Sequence, residues 1–160
     1  MKTLTRRNAV AMFQQLSQMA IGHLTDADME AVLDNIAALR TVADQYAKLA
    51  EELHRRLFED VDEQRCRAFD SIVREHGIEA VGEEYADIKA LVERKVAVML
   101  GLESREVAVV LRKVERKAFM MAVLKAQPDT PQTAFNVLAP MFEDNEAETD
   151  MAELDELLKG

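Results

Sequence analysis

The stretch DADMEAVLDNIAALRTVADQYAKLAEELHRRLF, residues 26–58, decides the fold. Met29, Ile36, Ala43, Ala50 and Leu57 recur every seven residues, and Val32, Leu39, Tyr46 and Leu53 follow the first four of them by three. Such an a/d seam holds one stripe of a helix against a neighbour. Leu33, Val42, Ala47 and Leu49 widen the stripe, which suits a bundle better than a bare two-stranded coil. Neither glycine nor proline interrupts the run. Thr25, with an acidic Asp28 three residues on, reads as its N-terminal cap. The seam weakens at Glu59-Asp60-Val61-Asp62, where a bend or break is expected.

The flanking sequence reads the same way. Met12, Phe13, Leu16, Met19 and Ala20 predict a first helix over about Arg6–Ile21, with Gly22 as its cap. Cys66, Phe69, Val73 and His76 share a face of a shorter helix ended by Gly77. A further helix from Glu79 or Glu83 carries Val81, Tyr85, Ile88, Val92, Val96 and Met99 and stops at Gly101. Ser104 then caps another, with Val107, Val110, Leu111, Val114, Ala118 and Met121 inward. Thr130-Pro131 opens a short helix that ends before Pro140. Strand-type alternation of β-branched residues is not read anywhere. The fold class is all-α: a helical bundle or array of about five to seven helices with a long second helix and an acidic C-terminal tail. Residues 1–142 are read as a single helical domain. Residues 143–160 are read as a flexible acidic tail carrying a short amphipathic helix with Met151, Leu154, Leu157 and Leu158 on one face.

Composition narrows the function classes. One cysteine, Cys66, excludes an internal disulfide or a cysteine-based zinc site. No apolar run reaches the roughly 18–20 residues that span a bilayer, and no signal-peptide core follows the charged N-terminus, so no membrane is expected and the setting is read as cytoplasmic. The net charge of −10 argues against a general nucleic-acid coat. It is unevenly spread: −7 over residues 1–88, +5 over 89–125 and −8 over 126–160.

Catalytic signatures are missing. There is no phosphate loop, no Gly-x-Ser-x-Gly and no His-x-x-x-His. Glu51-x-x-His54 matches half of a di-iron ligand pair, but no second Glu-x-x-His exists. No cofactor, metal or catalytic residue is assigned. Cys66, between Arg65 and Arg67, reads as a buried small apolar residue more readily than as an activated thiol.

Residues 96–117 resemble the helix-turn-helix of DNA-binding proteins. Ala97 stands where that motif wants a small residue, Gly101 at its turn and Leu102 after it, with Val107 and Val110 inward. The resemblance implies a recognition helix opened by Ser104 and Arg105 and continued by Arg112, Lys113, Arg116 and Lys117. Glu103 and Glu106 would repel phosphates there, and Ala108 and Val109 offer little to read bases. The first half of the chain, Leu4–Ala9 through Leu53–Leu57, is similar in general pattern to small helical proteins of prophages and mobile elements, a resemblance that carries no functional residues. The expected function is therefore a non-catalytic helical interaction or assembly protein with a protein partner or a homo-oligomeric state. A DNA-binding regulator, its acidic tail binding a partner or restraining the reader, is the alternative.

Overall fold

The structure, a computed structural model, describes residues 2–143 and 154–159. The chain is 74% helical, with seven helices and one small two-stranded sheet among the described residues. The elements are β1 (Lys2–Thr5), α1 (Arg6–Gln18), α2 (Asp26–Phe58), α3 (Glu63–His76), α4 (Ala86–Ser104), β2 (Glu106–Val109), α5 (Arg116–Ala126), α6 (Gln132–Asn136) and α7 (154–159). Two compact units result: residues 1–43 with 106–160, and residues 44–105.

In the first unit, β1 lies antiparallel to β2, with Leu4 opposite Val107 and Lys2 opposite Val109. Because side chains alternate along a strand, Leu4, Val107 and Val109 share the face that joins the core. Thr5 ends the strand and caps α1 at once, its Oγ1 accepting from the Asn8 N–H at 3.1 Å. The core collects Ala9, Met12 and Leu16 of α1, Val32 and Leu39 of α2, Phe119 and Val123 of α5, and Phe135, Leu138, Met141 and Phe142 beyond. Phe119 meets Phe135 edge to face at 6.2 Å. Each such large apolar side chain contributes about 1.5–3 kcal/mol on burial.

Two side-chain amides sew this unit together. Asn35 is fully buried; its Nδ2 donates to the Arg112 carbonyl at 2.9 Å and its Oδ1 accepts from the Arg112 N–H at 2.7 Å. It thus does for residue 112 what a neighbouring strand would do. Gln127 repeats the device, its Oε1 accepting from the Ala20 N–H and its Nε2 donating to the Gln18 carbonyl. The open end of α1 is closed in this way.

The second unit contains the last part of α2, then α3 and α4. Asp62 caps α3 by accepting from the Gln64 N–H at 2.7 Å. Gly77 ends it at φ 86°, a left-handed backbone that favours glycine. Two 3-10 turns, Ile78–Ala80 and Glu83–Tyr85, lead into α4.

Local readings are corrected in three places. α1 ends at Gln18 with Met19 as its cap, so Gly22 closes nothing there. Two 3-10 turns replace the helical start near Glu79, and α4 begins at Ala86. The third correction is the largest. α4 runs through Gly101 to Ser104, and Glu106–Val109 is a strand where a second helix was expected. Ser104 is the last residue of α4, its Oγ donating back to the Leu100 carbonyl at 2.8 Å, and it caps no following helix. Helical spacing and alternation coexist in Glu106-Val107-Ala108-Val109-Val110. The β-branched positions matched to β1, about a hundred residues away in sequence, decide in favour of the strand.

Candidate interaction surface

The six polar residues expected to line a recognition helix are dispersed, and three of them, Arg112, Lys113 and Arg116, are engaged inside the first unit. The Arg112 guanidinium binds Asp34 at 2.7 Å and approaches Glu30 at 3.6 Å. Lys113 donates to the carbonyls of Pro140 and Phe142 at 3.0 and 3.2 Å. Arg116 donates to Asn136 at 2.8 Å and lies over the Phe142 ring. These contacts hold the extended segment between β2 and α5, which also pairs through Val114 with Phe142. Arg105 and Lys117 are exposed.

A different surface emerges in the second unit. Phe69 and Ile88 are the buried apolar residues among positions 44–105. The α2 stripe, buried at Val32, Leu39 and Val42, is half-buried at Tyr46, Ala50, Leu53 and Leu57. Polar pins take over part of the work. Arg65 grips both carboxylate oxygens of Asp87 at 2.9 Å, donates to the Glu84 carbonyl at 2.7 Å and lies over Tyr85. The Tyr46 hydroxyl donates to Glu103 at 2.6 Å.

α4 carries more apolar surface than this thin core uses. Val96-Ala97-Val98-Met99-Leu100-Gly101-Leu102 is seven residues without a charge, two turns of helix apolar on every side. A helix that is apolar all round belongs in an interior. Ile88, Leu91, Val92, Lys95, Met99 and Leu102 form its buried or half-buried side. The opposite side is open, with Val96 54% and Leu100 50% exposed. Covering those exposed halves would contribute about 1 kcal/mol for each residue.

No family model, curated protein or solved structure matches the chain. Function must therefore be read from the residues themselves.

The remaining candidates do not assemble into a catalytic site. His54 stacks on Phe58 at 4.6 Å and meets Lys95 Nζ at 3.2 Å, while Glu51 is exposed. Among the described residues, no group of three or more His, Cys, Asp or Glu is placed to hold a metal ion. Burial, reinforced by the charge of Asp70, pushes the Cys66 thiol above its ordinary pKa, away from an activated thiolate. In the tail, 154–159 is helical and exposes Leu154, Leu157 and Leu158, so these three lie together as expected; Met151 falls outside the described residues. No helix of the described residues is long and apolar enough to cross a membrane.

Sequence reasoning missed the open face of α4. The signal was present in the uncharged run 96–102, but Gly101 was read as a turn, which divided the run between two helices.

Proposed function

We propose that this chain is a non-catalytic helical interaction or assembly protein, of the accessory kind that prophages and mobile elements encode. The observation that carries the reading is the α4 band 96–102, apolar on every side yet half open. A surface of this kind is the usual mark of a protein–protein contact. The thin core beside it gives the contact a second role, since an associating chain completes a unit that buries little by itself. The exposed leucines of α7 offer a smaller apolar face with acidic neighbours, suited to a groove on a partner.

A DNA-reading role has less support. Of its six residues, Ser104, Arg112, Lys113 and Arg116 are bonded within the chain, leaving Arg105 and Lys117 for phosphates.

Affinity isolation of the tagged chain from its source cells tests the assembly reading. The wild type should emerge in a complex of defined stoichiometry, with itself or another protein, and Leu100→Glu should emerge as the lone 18.0 kDa chain. A wild type that emerges alone, or one with measurable turnover, would contradict it.

A further inference from the structure

We infer that the occupant of the open α4 face is a second copy of this chain, the two α4 helices lying side by side and running in the same direction. The inference rests on the assembly reading and names its partner. At about 100° per residue, Ala97 marks the midline of the exposed face. Glu93 and Leu100 fall to one side of it, by roughly 40–60°. Arg94 and Gly101 fall to the other side by the same amounts. A twofold axis along the helices sets one side of the first copy against the opposite side of the second, because such an interface must be complementary to itself.

The consequences are specific. Glu93 meets Arg94 of the other copy at nearly the same height, and the symmetry repeats the pair. Leu100 packs over the bare backbone of Gly101 of the other copy, again twice. Ala97 faces its own counterpart on the axis, small enough for close approach. Val96 and Val98 flank the contact. None of Glu93, Arg94 and Arg105 forms an ion pair within the chain among the described residues. An antiparallel pair centred on the band would instead turn Arg94 towards Arg105 of the other copy, since both lie on one side. An unrelated partner would require no such internal match of charge with charge and large with small. The 19-residue helix is about 28 Å long, a small contact of the size found in weak, reversible association.

Sedimentation velocity of the full chain over a concentration series tests this. The wild type should pass from monomer to dimer, and Leu100→Glu should stay monomeric with unchanged helical circular dichroism. Gly101→Leu is the second variant. Nothing lies within 4 Å of a Cβ added there, so the monomer accommodates it, while in the dimer it occupies the place of Leu100 of the other copy. Self-association should fall at least tenfold. Arg94→Glu alone should weaken the dimer, and the swap Glu93→Arg with Arg94→Glu should restore it. A dimer that ignores Leu100→Glu and Gly101→Leu would overturn the inference, as would failure of the swap to rescue. A wild type monomeric when pure but complexed with another protein in cells would overturn it and leave the assembly reading standing. A chain alone in both settings would end both.

Discussion

Gly101 and Gly77 are both glycines near helix ends, and single substitutions separate their roles. Gly77 holds φ 86°, so Gly77→Ala is expected to cost about 1–2 kcal/mol. Gly101 lies inside α4 with no positive φ and an open Cβ position, so Gly101→Ala should stabilise by up to about 1 kcal/mol. A loss at position 101 would restore the turn that the helix-turn-helix resemblance requires. Asn35→Ala removes both bonds to the Arg112 backbone and should cost roughly 2–3 kcal/mol in urea unfolding. Neither amide clamp was legible in the sequence, because an asparagine in a helix announces no partner 77 residues away. Charge states follow from neighbours in the same way. Bonds from Arg55 and Arg56 hold the Glu52 carboxyl down at about 2, and the Arg65 bond holds Asp87 below its usual range. A depressed folded pKa gives a contribution present above the unfolded value and lost as pH falls through the folded one. Carbon-detected titration should find Glu52 titrating at about 2 and Asp87 below the ordinary aspartate range, shifts weakened by salt because solvent reaches both.

At the scale of elements, periodicity served best where one neighbour decides the stripe. The α2 heptads, the Thr25 cap and the Gly77 stop all stand in the structure. Periodicity failed over 104–115, where Val107 fits both a helical spacing with Val110 and Val114 and a strand spacing with Val109, and a distant strand selects the second. The strand at Lys2–Thr5 was too short to signal itself. The same failure hid the candidate surface, since an uncharged run shared between two helices looks like two ordinary inner faces. One consequence is measurable by fluorescence anisotropy. The chain should show no steeply salt-dependent DNA affinity, and Arg112→Ala should lower stability through loss of Asp34 without a binding effect. Affinity that falls with both Arg105→Ala and Arg112→Ala, and steeply with salt, would contradict the element assignment's bearing on function.

The molecule as a whole divides its apolar residues unevenly. Residues 1–43 and 106–143 hold nearly all of the buried ones, while residues 44–105 bury Phe69 and Ile88 and leave the α4 band half open. The association proposed for that band would account for its composition, which solvent exposure does not. The most direct measurement is photo-crosslinking in the source cells, with a crosslinking residue in place of Val98 on the α4 face and, as the control, in place of Lys48 on α2, both exposed positions. Position 98 should give one protein adduct of discrete mass, and position 48 should give none. No adduct at 98, or equal adducts at both positions, would contradict the assignment of α4 as the working surface of this protein.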